Sequence, residues 1–242
     1  MREVIVTSNV SDKIAEHKKA GHTALIFVFL SLLVLVIGVS SNTSILSVGG
    51  IFAAIWSAVA FTRSGSNANT YEHGYEGEEM LRRRLHDILP DDYIGYFGFP
   101  LKDGKDIDCV LLGPAGLYVF ETKHHNGYIQ YTDGGWRQVK TGRRGTSYFG
   151  NLKNPGGQVL FALREVKSYL ENKGMRIFIN GVVTFTNPSV ELSIEKNPKP
   201  LMVCRIDELE KIFEVQKDKM IPLKKLEAIE TELSAAIAAL RV

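Results

Sequence analysis

Asp108, Glu121 and Lys123 have the side-chain types and the spacing that metal-assisted phosphodiester hydrolysis needs. They lie in Lys105–Lys123, where two apolar, β-branched-rich runs flank Gly113-Pro114-Ala115-Gly116, the pattern of a β-hairpin with a four-residue turn. Pairing across that turn sets Leu112 opposite Leu117, Val110 opposite Val119 and Asp108 opposite Glu121. Side chains alternate faces with period two, so Lys123 shares the face of Glu121. Opposed side chains have Cβ atoms roughly 4.5–5.5 Å apart, and like charges there repel. Two facing carboxylates in so apolar a hairpin are costly unless a cation lies between them. Hard carboxylate oxygens suit a divalent ion such as Mg²⁺ or Mn²⁺.

The surrounding sequence supplies elements that could position these groups. Gly77–Leu89 reads as a helix with Leu81, Leu85, Ile88 and Leu89 inward. Glu78 falls on that inward stripe, where an acid either complements the helix dipole or joins a site. Glu79 faces outward, within reach of Arg82 and Arg83. Residues 92–101 read as a strand leading into the hairpin. Tyr128–Tyr131 and Trp136–Val139 continue it as a meander about a turn at Asp133-Gly134-Gly135. Arg137 precedes a basic, glycine-punctuated loop with Lys140, Arg143 and Arg144, which suits a phosphate backbone or is a plain solvated loop. Asn154 can cap, and Pro155 open, a helix to about Lys173 with Gln158 in its first turn, where exposed amides face anions. Strands at Ile177–Phe185 and Leu201–Cys204, a helix capped by Asp207 and an amphipathic helix over Pro222–Leu240 complete an α/β pattern.

Composition narrows the alternatives. A net charge of +2 rules out a global basic field, so any nucleic-acid affinity must be local. Cys109 and Cys204 fall in apolar strands and read as buried thiols, and no zinc-module spacing occurs. His124 and His125 would point to opposite faces of a strand, which suits a shared metal poorly.

From Ala20 to Thr62 there is no Lys, Arg, Asp or Glu. Two apolar runs, Thr23–Val39 and Ile45–Phe61, flank a polar break at Ser40–Ser44, and each approaches the ~20 residues that cross a bilayer. The pattern predicts a two-span transmembrane hairpin over residues 20–62; a buried helical hairpin is the other reading. Arg2, Lys13, Lys18 and Lys19 before it and Arg63 after it put residues 1–19 and both termini in the cytoplasm. Residues 63–75 read as a linker and residues 76–242 as one α/β domain.

These residues, taken in order, resemble the nuclease-related domain (NERD) family, a branch of the PD-(D/E)xK nucleases. The resemblance runs from Tyr75 to Phe185: Gly77-Glu78, Ile107-Asp108, Gly116–Lys123 with Glu121-Thr122-Lys123, Gly127, Trp136, and Asn154-Pro155 with Gln158. Members often carry a histidine in the helix after the glutamine, and this chain has none there. The resemblance implies a restriction-endonuclease-like core, a mixed central sheet flanked by helices, with the metal site on a bent hairpin. It implies Asp108 and Glu121 as ligands of Mg²⁺ or Mn²⁺, and Lys123 as the group that orients water or stabilises developing charge. Glu78 and Gln158 follow as auxiliary groups. The expectation is a membrane-anchored, metal-dependent nuclease acting on nucleic acid, DNA in the first place, at the cytoplasmic face. Its alternatives are a non-catalytic tethered nucleic-acid-binding module and a membrane scaffold.

Overall fold

The computed structural model describes residues 1–6, 10–41, 43–132, 135–142, 144–195, 201–214 and 220–240, with the side chains of 10–14, 46–47 and 66–69 outside that description. Arg143 and the turn residues Asp133 and Gly134 therefore lie outside the described residues. The chain divides into two compact units, Met1–Ser8 with Glu76–Val242, and Asn9–Tyr75.

In chain order the elements are β1 (Arg2–Ile5), α1 (Val10–Ser40), α2 (Ser44–Ile88), β2 (Ile94–Pro100), β3 (Asp106–Gly113) and β4 (Gly116–Lys123). They continue with β5 (Gly127–Thr132), β6 (Gly135–Thr141), β7 (Ser147–Phe149), α3 (Pro155–Asn172), β8 (Ile179–Phe185), β9 (Val190–Ile194) and β10 (Leu201–Arg205). A 3-10 turn (Ile206–Glu208), α4 (Leu209–Glu214) and α5 (Leu223–Leu240) close the chain.

The larger unit is an α/β fold with mixed sheets. Its main sheet runs β1-β2-β3-β4-β8-β10, and a second runs β7-β6-β5-β9. The meander expected to continue from the hairpin is instead this separate sheet. On its side away from β3, β4 pairs with β8, in parallel, and α3 lies in the connection between them. Such a crossover needs a long connection, which the β5–β7 excursion and α3 supply. Hairpin register is as the sequence predicts, with Leu112↔Leu117 and Val110↔Val119. Three strands went unread: β1, which pairs with β2 in parallel, and the short β7 and β9. Asp207 does not cap α4; it binds Arg205 at 3.0 Å within the 3-10 turn.

Both faces of the main sheet are covered, which is why its strands read as continuous apolar runs. Val110, Leu112, Leu117 and Val119 pack with residues of α3 and α5, such as Val166 and Leu233. Cys109, Leu111, Tyr118 and Phe120 pack with Leu81 and Leu85 of α2 and with Phe213 of α4. Each fully buried side chain of this size contributes roughly 1.5–3 kcal/mol of transfer free energy.

The smaller unit holds α1 and the first part of α2. Among the described residues one helix segment, Ala15–Ser40, is long and apolar enough to cross a membrane, with mean hydropathy 2.8. The second expected span is not separately found. Ile45–Phe61 opens a 45-residue helix whose remainder is polar, and that helix runs without interruption through 63–75, the stretch expected as a linker. No proline interrupts it, and its Ser, Asn and Thr residues lower helix propensity without forbidding a helix.

Burial in this unit is inverted. The buried positions are small, with Ala24, Ser31 and Ser57 each under 10 % exposed. Ile26, Phe29, Leu33, Phe52 and Trp56 are exposed. Gly50 lies so close to α1 that a Cβ there would sit 2.9 Å from the Leu35 nitrogen. The hydroxyls of Ser31 and Ser57 bond back to Val28 O and Ala53 O, at 2.9 and 2.8 Å, so the seam leaves neither unsatisfied.

Candidate active site

The site forms where β2 and β3 change face. Phe97 and Cys109 belong to one side of the main sheet, but Phe99 and Ile107, two residues along, pack on the other. The pairs Phe97↔Cys109 and Phe99↔Ile107 stay in register across the change. Between them lie Gly98, at φ +67°, and Asp108. That φ favours glycine, and the local twist it permits turns both strands over together. This is the bend that the resemblance implied.

The bend frees Asp108 from ordinary sheet geometry. The β3–β4 ladder's last pair is Cys109↔Phe120, and one further step of that register sets Asp108 against Glu121. Asp108 Oδ2 there accepts the Thr122 backbone N–H at 2.5 Å. A side chain thus takes a donor next to the end of the ladder, which fixes the carboxylate beside Glu121. Lys123 forms an ion pair with Glu121, and both side chains are largely buried, at 16 % and 14 % exposed.

The helical acid arrives by close packing. A Cβ on Gly77 would meet His124 Cβ and Thr186 Oγ1 at 3.0 Å, so only glycine lets α2 lie this close to the end of β4. The next residue, Glu78, is thereby held within electrostatic reach of Asp106, Glu121 and Lys123. Glu79 pairs with the arginines as expected, but it is half-buried rather than solvated. It binds Arg82 at 2.7 Å and Arg83 at 2.8 Å, and these hydrogen bonds pull its carboxyl down to about 2.

Three acids at the bend are pushed the other way. Burial, then the charges of Asp106 and Glu121, raise Glu78 to about 7, against the opposing pull of Lys123. Burial and the charges of Glu121 and Glu78 hold Asp108 well above the usual carboxylate range. Burial raises Glu121 despite its lysine. A group of carboxylates that resist joint ionisation, with one lysine among them, is a donor set suited to a hard divalent cation.

The other expected residues fall elsewhere. Asn154 caps α3, its Oδ1 accepting from Gly157 N at 2.9 Å, with Pro155 in the first turn as expected. Gln158 is exposed and its side chain makes no hydrogen bond among the described residues. Lys140 and Arg137 lie on β6, half-buried and exposed respectively, and Arg144 is exposed after it. His124 and His125 do have separate surroundings: His124 bonds Thr186 Oγ1 at 3.0 Å, whereas His125 lies near Lys123 and Lys140. The sequence reading missed Asp106 as a member of the acid group; the signal was its place two residues before Asp108.

The mixed α/β sheets flanked by helices are consistent with a nuclease-like fold. Residues 73–186, a little under half of the chain, match the nuclease-related domain. Over 142 residues the chain is 26 % identical to a protein named probable kinase PglW in Streptomyces coelicolor. That alignment covers 57 % of this chain and 9 % of the relative, so the chain corresponds to a small part of that protein's length. No solved structure matches.

Proposed function

We propose that this protein is a membrane-anchored, divalent-metal-dependent nuclease that cuts DNA. The observation that carries the reading is the bend itself: Asp108, fixed by the Thr122 N–H, faces Glu121 with Lys123 ion-paired at its side. Asp108 and Glu121 would hold Mg²⁺ or Mn²⁺, and the raised pKa values of the acids mark a place where a cation removes repulsion. Such an ion, when bound, lowers the pKa of a water and screens phosphate charge. Lys123 stands next to that position, able to orient the nucleophile and offset charge that develops on the phosphate. Glu78, protonated through much of the neutral range, supplies a second acid within reach.

The membrane part of the reading rests on burial and on chain order. Exposed Leu, Ile and Phe around a seam of small residues suit a pair of helices in lipid rather than in water. Met1–Ser8 and Glu76–Val242 form one unit, so the chain leaves that unit and returns to it. A segment with both ends in one folded unit crosses a bilayer an even number of times. If Ala15–Ser40 spans the bilayer, the opening part of α2 spans it in return. The lysines and arginines flanking the pair support a cytoplasmic α/β unit.

The test is cleavage of DNA and RNA by the full chain in detergent, with Mg²⁺ or Mn²⁺, beside Glu121→Ala and Lys123→Ala. Metal-dependent cleavage that falls by about 10³ or more in both variants is expected, in keeping with loss of electrostatic transition-state stabilisation. Equal activity in all three, or none in the wild type on any substrate, removes the reading.

A further inference from the structure

We infer that the outer face of the second sheet is a stacking platform for an unpaired DNA strand. Tyr128 and Phe149 each take the face of one base, and Arg137 takes a phosphate beside them. The inference rests on the nuclease reading and names its substrate as single-stranded at this place.

Strand register puts these side chains together. Tyr128 of β5 pairs with Val139 of β6, and Val139 pairs in turn with Phe149 of β7. Directly paired residues present their side chains on one face, so the two rings flank Val139 in a single row across three strands. Two strand spacings separate the backbones that carry them, roughly 10 Å. The next row on the same face pairs Arg137 with Gln130, and Gln130 with Ser193 of β9. The opposite face is the packed one. Ile129 and Gln138, the pair between those two rows, are buried, and Ile129 clusters with Val159 and Phe185. On the outer face Phe149 is 79 % exposed and Tyr128 38 %.

Shape and charge select the ligand. A ring held out into water adds nothing to the core, yet its flat π-surface is what a base stacks on. Residues 127–150 hold four Lys or Arg and one Asp, a net +3 in a chain whose total is +2, so the positive charge of the whole chain is concentrated here. A duplex keeps its base faces inside the stack, and only an unpaired strand offers both bases and phosphates to this face. A protein partner fits less well, because charged groups are depleted at the core of such interfaces. The platform is also near the acids. Tyr128 follows Lys123 by five residues, so their Cα atoms lie within roughly 18 Å. Backbone bonds pin that connection, from Thr186 N to Lys123 O at 3.0 Å and from Gly127 N to Ser189 O at 3.4 Å.

The experiment measures binding of a labelled single strand of about 20 nucleotides, and of the same strand annealed to its complement, to the full chain in detergent with Ca²⁺ in place of Mg²⁺. The wild type should bind the single strand more tightly. Tyr128→Ala and Phe149→Ala should each weaken single-strand binding about tenfold, as for one lost base stack, and leave the duplex within about twofold. The slope of log K against log salt should stay unchanged in both, because a neutral ring displaces no counterion. Tyr128→Phe, which keeps the ring, should bind like the wild type. Arg137→Gln should lower the single-strand slope by about 0.7, the value for one phosphate. Phe178→Ala removes a comparably exposed ring, at 70 %, just before β8, and should change nothing. Melting temperatures close to wild type, expected for surface positions, separate these effects from misfolding. Unchanged single-strand affinity in both ring variants, an equal loss in Phe178→Ala, or equal losses on strand and duplex overturn the platform. So does a change in association state by sedimentation with strand binding intact, which would make the face a contact between copies. In each case the nuclease reading stands if the wild type still cuts DNA with Mg²⁺; a wild type that binds neither strand nor duplex overturns both.

Discussion

The two units of this chain bury opposite things. In the α/β unit, Leu111, Leu117, Tyr118 and Phe120 are fully enclosed, and most charged groups stand at the surface. In the helical unit, Gly, Ala and Ser make the seam while Ile26, Phe29, Phe52 and Trp56 stand exposed. The same helix, α2, takes part in both patterns: Gly50 and Ser57 are buried in one unit, Leu81 and Leu85 in the other. The difference teaches that each unit is matched to its own solvent. Water drives large apolar side chains together, whereas lipid offers them an equal environment and leaves close backbone approach to hold helices.

The contrast can be broken by truncation. Leu117→Ala, at a fully buried position of β4, should destabilise the α/β unit by about 2–5 kcal/mol. Leu33→Ala, at 56 % exposed on α1, should change stability in detergent by about 0.5 kcal/mol or less. Chemical denaturation in detergent measures both, and comparable losses would show that α1 is an ordinary core helix. A smaller effect follows from the seam. Gly50→Leu forces side-chain atoms against the Leu35 backbone and should weaken the helical pair by about 1–3 kcal/mol, while Gly49→Leu, with open space at its Cβ, should not. Thermal unfolding followed by cysteine accessibility in α1 variants would detect the separation.

The smallest predicted effect concerns pH and sharpens the polar side of the comparison. Glu78 titrates at about 7 in the folded protein against an ordinary 4.5, so the folded state holds its proton more tightly than the unfolded chain does. Stability from this group is complete below about pH 4.5 and is lost as pH rises through 7. Asp108 and Glu121 shift in the same direction. The melting temperature of the metal-free protein should therefore fall by a few degrees between pH 4.5 and 7.5 relative to Glu78→Gln. Mg²⁺ should reverse the fall at the upper end, because the cation favours the ionised acids. A rise across that window, or no response to Mg²⁺, would count against a metal site at the bend.

Much of the site was legible in the chain because it is local. The turn sets the register of β3 against β4, so Asp108, Glu121 and Lys123 follow from counting outward from Pro114-Ala115. Glu79 and Asn154 were readable for the same reason, since their partners lie within four residues. Gln158 was placed correctly in the first turn of α3, but whether that turn faces the acids is not a local matter.

By itself the sequence determined the hairpin, its facing acids, the cap of α3 and the long uncharged stretch, all of which depend on near neighbours and on side-chain period. Tertiary structure alone decided that β5 and β6 leave the main sheet, that β1, which precedes the helical unit in the chain, joins it, and that Gly98 turns the hairpin over at Asp108. The reason is physical. Strand partners far apart in sequence are selected by the apolar surface they cover together, and that surface exists only once the layers have packed.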